Sequence, residues 1–380
     1  MPFKFIHVSD THLGFSDLEI MDENEKYNIR EEDVYNSFAK VIDFAIENKI
    51  DFIIHSGDIF HRSSPSNRAL VFLSRQLSRL EEFKIPLYII AGNHDFPKSV
   101  FTTPVYNLFD SFKYTKIFFS ENYTVYDNGF CYLHTLPHIN NETKFNEEAL
   151  KICITNTDKP NILITHVSMP NYLMEEYGER VFPAEKLEYL INFDYVALGH
   201  WHKFKHLKSY GNVYYSGSTE RFSDKETEYQ KVFLLCKYDT ELTVKEVNID
   251  GRLMKNIKIK DCYNKDKNTI INEILANINN LDIKGGIFTI HLLDMAQLQI
   301  YEIGKNDFSE ILKDTLFYNI TKTIKGSDEK IVLDSLSFDL RDYLNEELKK
   351  NFTDNKEYSE VFSLTRNILD EIEEEELNED

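Results

Sequence analysis

Five short segments of this 380-residue chain place carboxylate, imidazole or amide side chains directly after apolar runs. They are Val8-Ser9-Asp10-Thr11-His12, Ser56-Gly57-Asp58-Ile59-Phe60-His61, Gly92-Asn93-His94-Asp95, Ile164-Thr165-His166 and Gly199-His200-Trp201-His202. Carboxylate oxygen, imidazole nitrogen and amide oxygen, with no thiolate among them, suit manganese, iron or zinc. Asp10 and His12 are two apart, as are His200 and His202, so one turn can aim each pair at a single ion. Asp58 has two carboxylate oxygens and can bridge two ions. Two divalent ions about 3.5–4 Å apart can hold a nucleophile and the oxygens of a phosphoryl group together. Asp, Asn and Gly also favour turns for reasons unrelated to catalysis. Any one segment could be a solvated turn, but five in this order, each after an apolar run, are hard to explain that way.

Such segments must be brought to one edge by the strands that precede them. Lys4 to Ser9, Asp51 to His55 and Pro86 to Ala91 read as strands, separated by helical patterns at Arg30 to Glu47 and Asn67 to Phe83. That β-α-β-α-β order predicts a layered α/β domain with a largely parallel section. Ligands of such sheets collect at the carboxyl ends of the strands. Asn161 to Thr165, Tyr195 to Leu198, Val213 to Tyr215, Val232 to Tyr238 and Leu242 to Ile249 continue the strand pattern. A boundary is expected near Gly251-Arg252. Beyond it lies a smaller α+β unit: strands at Lys255 to Ile259, Ile287 to Leu293 and Tyr318 to Ile324, helices at Asn268 to Ile278 and Phe308 to Leu312. From about Leu333 the pattern is helical and increasingly acidic. The expected domains are residues 1–250 (catalytic), 251–332 (a cap or specificity domain) and 333–380 (a helical acidic tail).

The net charge of −21 argues against a uniformly basic nucleic-acid surface, leaving bound metals and local Lys/Arg to meet phosphates, or a substrate that is not a nucleic acid. Arg62, Arg68, Lys203 and Lys205 flank the second and fifth segments and are the local candidates. No apolar run is long enough to cross a membrane, and the N-terminus lacks leader-like features, so a cytoplasmic location is expected. Cys131, Cys153, Cys236 and Cys262 lack zinc-type spacing and read as buried free thiols of a reducing compartment.

The ordered set resembles the calcineurin-like metallophosphoesterase superfamily, and within it the SbcD family of double-strand-break repair nucleases. Asp10-Thr11-His12-Leu13-Gly14, the extra histidine of Gly57-Asp58-Ile59-Phe60-His61, and Gly217-Ser218-Thr219-Glu220-Arg221 carry that closer resemblance. It covers residues 1 to 250 well, the following unit weakly and the C-terminus by position only. It implies a β-sandwich core flanked by helices, and a manganese-dependent exonuclease and endonuclease at DNA ends. Asp10, His12, Asp58 and His202 would hold one ion; Asp58, Asn93, His166 and His200 would hold the other. His94 would stabilise the transition state or protonate the leaving oxygen. His61 would place the DNA backbone or the attacking water, and Asp95 would orient His94. The family also implies a homodimer formed by helices near Asn67 to Phe83 and Val100 to Phe112. A C-terminal helix, with Val361, Leu364, Ile368 and Ile372 on one face, would dock an SbcC-type coiled-coil ATPase. A nucleoid-associated location follows.

Plainer readings stand beside these. Leu70, Leu73, Leu77 and Leu80 form a stripe suited to the chain's own core. His7 and His55 lie inside strands and suit packed positions. His134, His138 and His206 lie near turns, and His291 has no assigned role. Trp201 suits shielding of the metals better than stacking on a base. Two other functions compete: a phosphodiesterase acting on a small nucleotide or lipid head group, and a metal-stabilised scaffold without activity.

Overall fold

The structure is a computed structural model that describes residues 2–18, 20–22, 27–96, 103–154, 156–174, 179–304, 306–326 and 330–334. Two compact units divide between Lys255 and Asn256.

The first unit begins with strand β1 (Phe3–Val8), helix α1 (Ile29–Glu47), β2 (Phe52–His55), α2 (Asn67–Phe83), β3 (Leu87–Ile90) and β4 (Thr115–Phe118). The side chain of Asn28 caps α1 by accepting from the N–H groups of Arg30 and Glu31, and Ser66 caps α2 through Ala69 N–H. The chain then forms β5 (Thr124–Asp127), β6 (Tyr132–Leu136), α3 (Glu142–Leu150), β7 (Asn161–His166), α4 (Ala184–Leu187), β8 (Tyr195–Gly199), β9 (Lys205–His206), β10 (Val213–Tyr215), β11 (Val232–Tyr238) and β12 (Leu242–Asn248).

These strands build two six-stranded sheets, ordered β12-β11-β1-β2-β3-β4 and β5-β6-β7-β8-β10-β9. Within the first, β1 to β4 run parallel; within the second, β6, β7, β8 and β10 do. Strand alternation assigns each side chain to a face. Phe5, Phe52 and Ile54 join Leu133, Ile164 and Ala197 in the core between the sheets. Ile6, Val8 and Ile53 face the other way, against α1 and α2. Phe145 and Ala149 of α3 cover the outer face of the second sheet. Both faces of the parallel strands other than the edge strand β4 are therefore largely buried, which accounts for their nearly unbroken apolar runs. Leu73, Leu77 and Leu80 are spent in this core, as the plainer reading of that stripe held. Val100 and Phe101 lie outside the described residues.

The second unit carries one four-stranded sheet, β13-β14-β15-β16. Its elements are β13 (Met254–Ile259), α5 (Lys267–Ile278), β14 (Ile287–Met295), the short helices α6 (Gln297–Glu302) and α7 (Asn306–Ser309), β15 (Phe317–Ile324) and β16 (Lys330–Asp334). Two sequence expectations need correction. The helix expected at Phe308 to Leu312 is the short α7, which starts two residues earlier and ends at Ser309, and α6 precedes it unforeseen. Gln299 anchors α6, accepting from Ala296 N–H and donating to the carbonyls of Cys262 and Lys265. Leu333 and Asp334, expected to open a helical tail, end a strand that pairs antiparallel with β15. The turn at Gly326, with φ of 81°, returns the chain to that edge. The remaining tail, including Val361 to Ile372, lies outside the described residues. Cys153 is exposed, contrary to the expectation for all four thiols; the other three are buried.

Candidate metal centre

The five ligand-bearing segments all leave parallel strands at their carboxyl ends, β1, β2 and β3 in one sheet and β7 and β8 in the other. The turns are tight enough to force unusual backbone. Asp10, His12, Asp58 and His200 have φ of 51°, 46°, 55° and 92°, in the left-handed region that non-glycine residues avoid. Such strain gathers where the surroundings over-determine a geometry, commonly at functional sites. Gly57, at φ of 105°, leaves room that any Cβ would take from the His166 ring, and a Cβ on Gly92 would run into Asp58.

The structure gathers donors in three groups: Asp10 with His12 and His202, Asp58 with His166 and His200, and His12 with His61 and His94. Asp58 stands between the first two, its Oδ2 3.2 Å from His166 Nε2 and 3.9 Å from His12 Nε2. Asn93 Oδ1 joins the second group, 3.0 Å from His166 Nε2 and 3.2 Å from His200 Nδ1. His12 Nε2 and His202 Nε2 face each other at 3.2 Å.

The hydrogen bonds on the far sides of these rings explain what faces inward. His166 Nδ1 donates to the Ser56 carbonyl, His200 Nε2 to Glu179 and His202 Nδ1 to Glu226. In the neutral rings the inward nitrogens are then lone pairs, those of His166 and His200 pointing at carboxylate or amide oxygens and that of His202 at the His12 ring nitrogen. Acceptors without donors repel unless a cation lies among them, so the residues fit divalent ions. Titration agrees. Burial holds His12 well below its ordinary value, and neighbouring imidazoles add to this, so it is a neutral donor. Burial also opposes a charge on His166, but Asp58 and Asp10 overcome it and raise this imidazole to about 10. The two carboxylates thus favour a positive charge at that nitrogen, which a divalent ion would supply. Burial opposes ionisation of Asp58 too, yet His166, His12 and His94 hold its carboxyl well below the usual range.

His94 and His61 stack at 5.6 Å beside the first group, and the His94 ring meets His12 edge-on at 4.7 Å. The His94 backbone N–H donates to Asp58 Oδ1, and its Nδ1 lies 3.2 Å from the His61 carbonyl. The Asp95 carboxylate accepts from the N–H groups of Ile59, Phe60 and Gly92. Asp95 thus ties the second segment to the third through backbone. Burial, then the charge of Asp58, raises its carboxyl to about 6.

Glu179 and Glu226 were not singled out by sequence, since neither lies in a recognisable segment; their positions show only when the chain is folded. Phe222 packs edge-on against both His12 and His202. His7 bonds Ser56 and Tyr195, and His55 bonds Thr11, both wholly buried as packed residues. His134 and His206 are held by Asn161 and the Gly211 carbonyl. His138 is buried beside Phe96 and Asn140. Trp201 meets Tyr172 edge-on and packs against the apolar cluster outside the second sheet. Arg68 pairs with Glu31 and Glu32.

Residues 3–204, more than half of the chain, match the family of calcineurin-like phosphoesterases. Among curated proteins, the chain is 32% identical over 258 residues to the DNA double-strand break repair protein Mre11 of Sulfurisphaera tokodaii, a match spanning 66% of this chain and 63% of that protein. It is 28% identical to the Mre11 of Methanococcus maripaludis over 97% of this chain and 95% of that one. The Mre11 of Methanocaldococcus jannaschii is 29% identical over 71% of this chain and 72% of its own. With the matched region carrying the ligand-bearing turns up to His202, the chain belongs to the calcineurin-like phosphoesterase family and is a metal-dependent phosphoesterase.

Proposed function

We propose that this chain is a manganese-dependent DNA exonuclease and endonuclease, hydrolysing phosphodiester bonds at DNA ends in double-strand-break repair. The observation that carries the reading is the pair of converging donor groups about Asp58, in a chain similar along nearly its whole length to a protein named for that repair. Asp10, His12, Asp58 and His202 would hold one ion, and Asp58, Asn93, His166 and His200 the other. When bound, the ions neutralise charge on a phosphoryl group and make water a better nucleophile near neutral pH. The chain's own residues do the rest. His94 Nδ1–H, donated to the His61 carbonyl, fixes the tautomer, so that Nε2 carries the site for proton transfer to a leaving sugar oxygen. Asp95 and the left-handed turns hold the donors in place before substrate arrives.

The second unit and the tail extend the proposal. We assign residues 251–332 to DNA-end specificity and 333–380 to docking an SbcC-type ATPase. Deleting residues 335–380 is expected to abolish ATPase binding and spare nuclease activity. A homodimer would use the outward side of α2 and the segment after it, where Val71 and Leu108 are exposed. No helix among the described residues is long and apolar enough to cross a membrane; a cytoplasmic, nucleoid-associated location is part of the proposal.

Digestion of linear double-stranded DNA with manganese, with magnesium and with chelator tests the reading, with Asp58→Ala alongside. Manganese-dependent degradation lost in the variant is expected. Hydrolysis of a small phosphodiester with no action on DNA, even beside the ATPase, would instead favour a nucleotide or lipid head-group substrate, which the net charge of −21 suits.

A further inference from the structure

The two histidines of the His200-Trp201-His202 turn meet the cluster through opposite ring nitrogens. His200 presents Nδ1, 3.2 Å from Asn93 Oδ1, while His202 presents Nε2, 3.2 Å from His12 Nε2. They therefore need opposite tautomers, although they are two residues apart in one turn. Nothing in that spacing selects a tautomer; an acceptor on the far nitrogen does. Each ring has one. Glu179 Oε1 lies 3.3 Å from His200 Nε2, and Glu226 Oε1 lies 3.0 Å from His202 Nδ1.

Both carboxylates are anchored from behind. Glu179 accepts from the Met174 N–H at 2.7 Å and from the Ser168 hydroxyl. Glu226 pairs with Lys231, which is 2% exposed. The same ammonium donates to the His202 carbonyl at 3.0 Å and to Ser218 Oγ at 2.6 Å. Lys231 thus fixes the backbone of His202 and the acceptor of its ring together. A buried ammonium is costly unless it is paired and bonded in this way.

We infer that Glu179 and Glu226 are positioning residues, each setting the tautomer and tilt of one histidine and thereby the affinity of one of the two metal positions. This rests on the reading of the cluster as a two-metal centre. The two positions become separately tunable: removing Glu179 acts through His200, and removing Glu226 acts through His202.

The test is calorimetric titration of the metal-free full chain with Mn2+, alongside nitrogen-15 spectra of the histidine rings. Wild type is expected to bind two ions. Glu179→Leu, which removes the acceptor, should weaken one position roughly 10–100-fold and largely spare the other. Glu226→Leu should do the reverse. Glu179→Gln, which keeps a neutral acceptor, should recover part of the loss. The His200 ring should show mixed tautomers in Glu179→Leu and a single one in wild type. Should Glu226→Leu fail to fold for want of a partner for Lys231, the Glu179 variants decide. Folded variants that bind two ions with wild-type affinity and unchanged tautomers would overturn the inference. A wild-type chain that binds no Mn2+ would overturn the two-metal reading itself, a result readily told apart from unchanged binding in the variants.

Discussion

In the first unit, titratable side chains are buried at strand ends: Asp10, His12, Asp58, Asp95, His166 and His200. In the second, the buried polar side chains among the described residues are Thr289, Thr321 and Lys322. Lys322 donates to the carbonyls of Ile300 and Ile303, so its charge is used up in holding the end of α6. Left-handed non-glycine residues follow the division in part. Asp10, His12, Asp58 and His200 cluster among the donors of the first unit, and Leu18, Lys49 and Lys84 lie in its turns and at a helix end. Asp261 and Asp294 in the second flank a short helix and a strand irregularity. Burying polar groups and straining backbone both cost stability. The first unit bears those costs where donors must converge. The second spends its interior on apolar packing, as a unit built for shape rather than chemistry would.

Substitutions in each unit can break or sharpen this contrast. The largest effect is expected for Asp58→Ala, which removes the carboxylate shared by the two donor groups. Turnover of a phosphodiester should fall roughly 10^4-fold or more, with metal content, measured by atomic absorption, falling too. His94→Ala should lower turnover by about 10²–10⁴-fold while both ions remain bound; loss of metal from this variant would contradict its assignment. In the second unit, Phe288→Ala should cost about 3–5 kcal/mol of that unit's stability, read by denaturant unfolding, with Mn2+ affinity unchanged. A drop in metal affinity there would break the division of labour. The smallest effect is expected for Gly57→Ala. Its positive φ should cost about 1–3 kcal/mol, with a shift in Mn2+ affinity because the new methyl displaces His166.

The parallel strands and their donors were legible in sequence because each donor follows an unbroken apolar run, and runs buried on both faces leave little ambiguity. Asp10, His12, Asp58, Asn93, His166, His200 and His202 were found in that way, and the structure draws them together. Glu179 and Glu226 were invisible for the opposite reason. They sit in irregular segments, and their role depends on contacts with residues 21 and 24 positions away. Asp95 was found as well, but its bonds to the backbone N–H groups of Ile59 and Phe60, 36 and 35 positions away, were not legible in the sequence. Helix α6 was missed because Gln299 makes its anchor with residues of an earlier turn. The strand at Lys330–Asp334 is short and is defined by pairing with β15 rather than by its own pattern.

The measurement that bears most directly on this account is an anomalous difference map from crystals of the full chain soaked in Mn2+. Two peaks are predicted, one among Asp10, His12 and His202 and one among Asn93, His166 and His200, with Asp58 touching both. A single peak among His12, His61 and His94, the third grouping of donors in the structure, or no peak at all, would contradict the two-metal centre.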